Sequence, residues 1–243
     1  MRLIRVHVDA DLQTGQRLTV AGAAGNHISR VLRLRTGDAL TLFNGQGGEY
    51  GGSIEEIHRD TVVVSVLERR EMERESPFQL TLAQGISRGE RMDWVVQKAT
   101  ELGVWRIQPL FTERSVVQLD EKQAIRKIQH WRSIAVAACE QSGRNRVPEI
   151  TQPAGLYEML EHHTPGGTAL LLSPGAPLRI ADIASAAAHA TVLIGPEGGL
   201  ADVEQAAAIK SGFTPVRLGP RVLRTETAAV CALTLLQQKF GDL

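Results

Sequence analysis

Apolar and polar positions alternate through the first 75 residues. After that, compact apolar runs are separated by amphipathic stretches. Leu40-Thr41-Leu42-Phe43 and Thr61-Val62-Val63-Val64-Ser65-Val66 are alternating or β-branched, the pattern of half-buried strands. Asn44-Gly45-Gln46-Gly47-Gly48 between them is turn chemistry. A short helix is expected with Asn26 as its N-cap, Ile28, Val31 and Leu32 on one face, and Gly37 as its stop. A small β-barrel fits this half. Arg69 to Pro77 is charged, ends in Ser76-Pro77 and reads as a linker.

From Phe78 onward strands and helices alternate. Strands are expected at Gln79–Ile86, Arg106–Phe111, Ala169–Leu172, Thr191–Ile194 and Pro215–Leu218. Helices are expected at Glu90–Leu102 with Gly103 as stop, at Gln123–Gln141, at Leu200–Ser211 and from Thr225 to Phe240. In the second of these, Ile125, Ile128, Trp131, Ile134, Ala135 and Ala138 recur at helical spacing. This alternation is the βαβ signature of a mainly parallel sheet, so the fold class is α/β with a β-rich N-terminal part.

Composition narrows the picture. A chain of 243 residues, 43% hydrophobic and 22% charged, suits a globular protein with one large core or two smaller ones. Net charge is zero, but its distribution is uneven. Residues 84–150 hold 11 Lys/Arg against 8 Asp/Glu, and Arg30/Arg33/Arg35 and Arg144/Arg146 are locally dense. Such patches can meet RNA despite overall neutrality. Cys139 and Cys231 are too few for a disulfide scaffold; buried thiols are expected and a metal site is not. Met1-Arg2-Leu3-Ile4-Arg5 lacks a signal-peptide pattern, and no apolar run reaches the length of a membrane span, so a cytoplasmic, non-membrane protein is expected.

The candidate chemistry lies in three loops that follow strands: Leu172-Ser173-Pro174-Gly175, Ile194-Gly195-Pro196-Glu197-Gly198-Gly199, and Leu218-Gly219-Pro220-Arg221 continuing to Ala228. Loops at the carboxyl edge of a parallel sheet are where open α/β sheets bind ligands. Their glycines let backbone groups approach a flat ligand. Neither GxGxxG nor a P-loop pattern occurs, and Pro196 removes an N–H that a phosphate would use, so a nucleoside fits better than a nucleotide.

Ile194 to Gly199 together with Leu218 to Ala228 resembles the cofactor-binding end of the SPOUT class of RNA methyltransferases. Within that class the chain is similar to the RsmE family, which methylates N3 of a uridine in 16S ribosomal RNA. His27–Arg33, Arg91–Val104, Pro109–Val116 and Glu140–Asn145 also resemble that family, so the likeness covers nearly the whole chain. The resemblance implies an RNA-binding PUA-like β-barrel over residues 1–72 and a SPOUT methyltransferase domain over 73–243, with a parallel sheet and a C-terminal trefoil knot. It also implies S-adenosylmethionine as cofactor, a role in rRNA processing, 16S rRNA of the small subunit as partner, and a homodimer. The implied cofactor residues are Leu172, Ser173, Ile194, Gly195, Pro196, Gly198, Gly199, Leu218, Gly219, Leu223, Thr225, Glu226 and Ala228.

Attack by uridine N3 requires loss of its proton, so a base or a cation that stabilises the anion is expected. Arg221, Arg224 and Glu197 are the catalytic candidates; Glu226 is a further carboxylate in these loops. An ion pair of Arg224 with Glu197 or Glu226 that merely holds the loops is the competing structural reading. For RNA, Arg30 and Arg33 are expected at i, i+3 on the short helix, with Arg88, Arg114, Arg144, Asn145 and Arg146 on loops of the second domain. The competing reading of Arg144-Asn145-Arg146 is a cap on the helix that ends at Gly143. Trp94, Trp105 and Trp131 read as core or interface rather than base platforms. Two other functions remain in view: a non-catalytic RNA-binding or ribosome-assembly factor, and a SPOUT ribose 2′-O-methyltransferase. The intact loops argue against the first; the barrel and Glu140–Asn145 argue, by resemblance, against the second.

Overall fold

A computed structural model describes residues 4–117, 119–163 and 166–243. Met1 to Leu3, part of the N-terminal reading above, lie outside the described residues. The chain divides into two compact units. The first comprises Met1–Glu75 and Val136–Val147, the second Ser76–Ala135 and Pro148–Leu243. The sequence-based division at 72/73 places residues 136–147 with the second domain, whereas their packing lies in the first unit.

The first unit contains β1 (Arg5–His7), β2 (Arg17–Ala21), a single helical turn α1 (Gly22–Asn26) continued by a π-helical turn at His27–Val31, β3 (Ala39–Phe43), β4 (Glu49–Ile57) and β5 (Thr61–Arg70). Its sheet runs β1-β3-β4-β5-β2, parallel between β1 and β3 and antiparallel elsewhere. Val62, Val64 and Val66 of β5 point inward with Ile54, Leu42 and Leu18, while Val63 and Ser65 stay half-exposed, as the period of two requires.

Two local expectations change. The helix begins at Gly22, not after Asn26. Asn26 is helical (φ −65°, ψ −38°) and makes no side-chain cap. The turn ends at Val31, and Arg33 adopts a left-handed conformation (φ 53°) beyond it, so Arg30 and Arg33 do not share a helical face. The expected linker is partly strand, because β5 pairs through Arg70 with Glu49. The residues after it are anchored. Arg144 Nε donates to Glu75 Oε1 at 3.0 Å, Asn145 Nδ2 to the Met72 carbonyl at 2.5 Å, and Arg146 Nε to Glu73 Oε2 at 3.2 Å.

The first two of these bonds belong to a buried polar cluster, and the third is exposed. Arg5 pairs with Glu49, donates to the Arg144 carbonyl at 3.0 Å and to Asn145 Oδ1 at 2.5 Å, and lies 4.8 Å above the Phe43 ring. Arg144 and Asn145 are almost wholly buried (3% and 0% exposed). This corrects their assignment to RNA: a surface contact needs accessible donors, and theirs are spent inside the first unit. Cys139 is buried nearby, and burial pushes its thiol up to about 12, as expected of an inert thiol.

The second unit contains β6 (Gln79–Gly85), α2 (Glu90–Glu101), β7 (Arg106–Phe111), the start of α3 (Glu121–Ser142), β8 (Glu149–Ile150), β9 (Ala154–Gly155), α4 (Leu156–Glu161), β10 (Thr168–Leu172), β11 (Leu178–Arg179), β12 (His189–Ile194), α5 (Asp202–Lys210), β13 (Thr214–Arg217) and α6 (Thr225–Phe240). All its strand pairs are parallel, in the order β11-β13-β10-β12-β6-β7-β8, with β9 also on β7. β12, late in the chain, is inserted between β10 and β6. The carboxyl ends of β10, β12 and β6 are therefore neighbours, with Leu193 opposite Ala83 and Ile194 opposite Gln84.

α6 packs against α2 and β12 and buries Ala228, Ala229, Ala232, Leu233 and Leu236. The buried Gln237 amide accepts from the Ser76 hydroxyl at 2.7 Å and donates to the Leu102 carbonyl at 3.0 Å, at the stop formed by Gly103. Trp131 is in the core, whereas Trp94 and Trp105 are about two-fifths exposed (41% and 40%). Among the described residues no helix is long and apolar enough to cross a membrane.

Removing one partner from the buried cluster strands the other charge. Glu75→Ala is expected to lower stability in guanidinium unfolding by about 3 kcal/mol. The exposed Arg17–Glu55 pair is the control: Arg17→Ala should leave the unfolding midpoint unchanged. A Glu75→Ala midpoint equal to wild type would show that the cluster does not hold the unit.

Candidate functional site

The loops that follow β10, β12 and β13, with the first turn of α6, enclose a cavity of about 470 Å³ at the carboxyl edge of the parallel sheet. That volume lies in the range of small-molecule sites. The thirteen residues expected to meet a cofactor all line it, as do Glu197, Arg221 and Arg224. Its apolar wall includes Leu172, Ile194, Leu218, Leu223 and Ala228.

One carbonyl organises these loops. Gly195 O accepts the Thr225 hydroxyl at 2.7 Å and the buried Gln84 amide at 3.3 Å; Gln84 Nε2 also donates to Thr225 Oγ1 at 3.0 Å. The end of β6, the loop after β12 and the start of α6 thus meet at one point. The approach is close. A Cβ on Gly85 would stand 2.5 Å from the nitrogen and Cδ of Pro196, and one on Gly195 would stand 2.8 Å from the backbone of Gly199 and Leu200.

α5 supports the same loops from behind. Glu204, buried, accepts the Glu113 N–H at 2.7 Å and the Ala201 N–H at 2.8 Å. Gln205 accepts the Ser173 hydroxyl at 3.0 Å and donates to the Leu200 carbonyl at 3.3 Å. Arg217 donates to the carbonyls of Ala176 (2.5 Å) and Pro177. Sequence reasoning missed Gln84, Glu204, Gln205 and Arg217, as well as Arg91 on the cavity wall; Pro174 and Val222, within the candidate loops, also line it. Only Glu204 had a readable signal, as a Glu at the third position of a helix, where its carboxylate reaches back to the N-cap N–H.

Glu197 Oε1 accepts the Arg88 N–H at 2.9 Å and Arg91 Nη1 at 2.8 Å. Burial raises its carboxyl, but the hydrogen bonds from backbone N–H groups and from Arg91 outweigh this and hold it below the ordinary carboxylate value. Glu197 is therefore a fixed anion with a structural partner, poorly suited to accept a proton at neutral pH. The pairing of Arg224 with Glu197 or Glu226 considered from the sequence does not form; Arg91 takes that place. Arg221 and Arg224 are exposed and have no hydrogen-bonded or ionic partner among the described residues. Glu226 is half-buried, and its Oε2 is inaccessible and unpartnered.

Arg88 and Arg114 are exposed beside the Glu197 loop, Arg114 Nη1 donating to the Gly198 carbonyl at 3.1 Å. In the first unit, Arg30 is exposed and meets Asp60 Oδ1 at 3.2 Å, Arg33 is exposed, and Arg146 is half-exposed beside Glu73. Among the described residues no group of metal-ligating side chains converges.

Residues 74–237 match the RNA methyltransferase domain model, and residues 20–67 match the RNA methyltransferase PUA domain model. The chain is 36% identical over 242 residues to ribosomal RNA small subunit methyltransferase E of Buchnera aphidicola, covering 100% of this chain and 98% of that protein. It is 30% identical to the protein of that name from Bacillus subtilis, covering 93% and 91%. A methyltransferase of Legionella pneumophila, solved with the cofactor SAM, superimposes with a TM-score of 0.97 at 43% identity, covering 100% of each chain. Ribosomal RNA small subunit methyltransferase E of Neisseria gonorrhoeae, solved with S-adenosyl methionine, does so with a TM-score of 0.93 at 34% identity and the same coverage.

The Glu197 anchor has a pH signature. A carboxyl lowered in the folded state contributes stability above its unfolded value, about 4.3, and loses it as pH falls through the folded value. Thermal unfolding of Glu197→Gln should therefore show a deficit of about 1 kcal/mol at pH 7 that disappears on acidification below that range. A deficit that persists unchanged at low pH would contradict the charged anchor.

Proposed function

The chain belongs to the ribosomal RNA small subunit methyltransferase E family of RNA methyltransferases, and on that premise we propose that it methylates N3 of a uridine in 16S ribosomal RNA, using S-adenosylmethionine. The observation that carries this reading is the carboxyl-edge cavity, apolar within and bordered by two uncompensated arginines. An apolar wall suits the flat base of the donor's nucleoside, and the glycine-rich loops offer it backbone groups. The half-buried Glu226 adds an anionic acceptor without a partner, so the residues present fit the donor. The donor supplies a methyl group already activated on a sulfonium, which leaves the protein to align the acceptor and stabilise charge.

Arg221 and Arg224 carry the second task. Their free guanidiniums border the cavity and can stabilise the anion formed by loss of the N3 proton, or an adjacent phosphate. Glu197 keeps the Gly195–Gly199 loop in place through Arg91 and the Arg88 N–H, acting as a positioning residue rather than as a base. Arg88 and Arg114 beside the cavity, and Arg30, Arg33 and the half-exposed Arg146 on the first unit, are accessible and of the right charge to follow the RNA backbone. The bond between Thr225 and Gly195 lies where a trefoil knot would cross, and supports that topology. Two copies associating as a homodimer is supported by an apolar hollow on α6 formed by Leu218, Leu223, Val230, Cys231 and Leu235. The small-subunit rRNA methyltransferase names of its relatives support a substrate in the small ribosomal subunit, and with it a cytoplasmic enzyme.

Mass spectrometry of 16S rRNA nucleosides from a strain lacking the gene should show loss of one 3-methyluridine. The wild-type gene should restore it, and an Arg224→Ala gene should not. Loss of a ribose 2′-O-methylated nucleoside instead would support the other regiochemistry. An unchanged nucleoside profile would point to a non-catalytic role.

A further inference from the structure

The charged groups around the cavity are not equivalent. Glu197 is matched by Arg91, and Arg217 is engaged by two backbone carbonyls. Arg221 and Arg224 are unpaired but exposed. Glu226 alone is an anion on the cavity wall that has a buried oxygen and no donor among the described residues. Its charge has no counter-charge among the described residues of the protein, so a cation bound in the cavity is drawn to it. Glu226 also lies in the first turn of α6, at the positive end of the helix dipole. The complement of a half-buried, unpaired carboxylate is a cation, and the exposed arginines suit the polyanionic acceptor.

We propose that Glu226 is the counter-charge to the cationic methyl donor, biasing the cavity toward S-adenosylmethionine and against its neutral product, S-adenosylhomocysteine. The proposal rests on the donor assigned above. The two molecules differ by one methyl group and one charge: transfer removes the sulfonium charge and leaves a thioether. A side chain that senses this charge weakens its hold on the cofactor once the methyl has gone, which assists exchange of product for fresh donor. A neutral isostere at the same position would hold both molecules by their shared parts and lose the distinction.

Titration calorimetry of the full chain with S-adenosylmethionine and, separately, S-adenosylhomocysteine tests this. Relative to wild type, Glu226→Gln is expected to shift the ratio of the two dissociation constants by about tenfold in favour of the product, with product binding itself little changed. Glu226→Ala, a second neutral side chain, should shift the ratio the same way, and Glu226→Asp, which keeps the charge, should retain most of the wild-type ratio. Sinefungin gives a reading on the wild-type protein alone. It carries a protonated amine in place of the methyl-bearing sulfonium and should bind more tightly than the neutral product. A neutral variant with the wild-type ratio, or neutral product outbinding sinefungin, overturns the proposal. Failure of the wild-type protein to bind any of the three overturns the donor assignment itself.

Discussion

The carbonyl of Gly195 is the point on which the site depends. It receives a hydroxyl from the start of α6 and an amide from the end of β6, so three segments distant in sequence are joined at one buried acceptor. Buried hydrogen bonds of this kind contribute modestly to net stability, but an acceptor left without its donor costs more than the bond contributes. The constraint therefore acts mainly by exclusion: arrangements of the loops that separate Thr225 from Gly195 leave a polar atom stranded. Gly85 makes the approach possible, since any side chain there would occupy the space of Pro196.

Around this point the side chains fall into two groups. Glu204, Gln205, Arg217 and Glu197 are used on loop backbone or on a neighbouring guanidinium, so they fix positions. Arg221, Arg224 and Glu226 have no such use, and they face the cavity. A rigid frame carrying a few uncompensated charges is the arrangement that electrostatic stabilisation requires, because the groups need no reorganisation when charge develops. The first unit shows the opposite economy. Its Arg5, Glu49, Glu75, Arg144 and Asn145 pair with one another, and their role is to hold the fold.

Much of this was legible in the sequence. Parallel strands buried on both faces appear as short apolar runs, so the longer strands and helices of the second unit are legible within a few residues, Arg106–Phe111 and Thr225–Phe240 coinciding with the observed elements, whereas the short β8, β9, β11 and α4 are not. The cavity residues were legible because glycine and proline mark the loops at those strand ends. What failed was long-range. Arg144 and Asn145 look like surface residues after a helix, and nothing local reveals that Glu75, Met72 and Arg5 lie within hydrogen-bond distance. Glu197 was ambiguous for the same reason, since its partner Arg91 is 106 positions away. The helix near Asn26 failed locally: a capping residue type was read where the chain was already helical.

If the Gly195 carbonyl sets the shape of the cavity, then removing the hydroxyl that holds it must be felt by the ligand as well as by the fold. Thr225→Val keeps the side-chain shape and deletes the donor. Calorimetric titration of this variant with S-adenosylmethionine should show affinity reduced about tenfold at a temperature where the protein remains folded. Wild-type affinity in folded Thr225→Val would contradict the account.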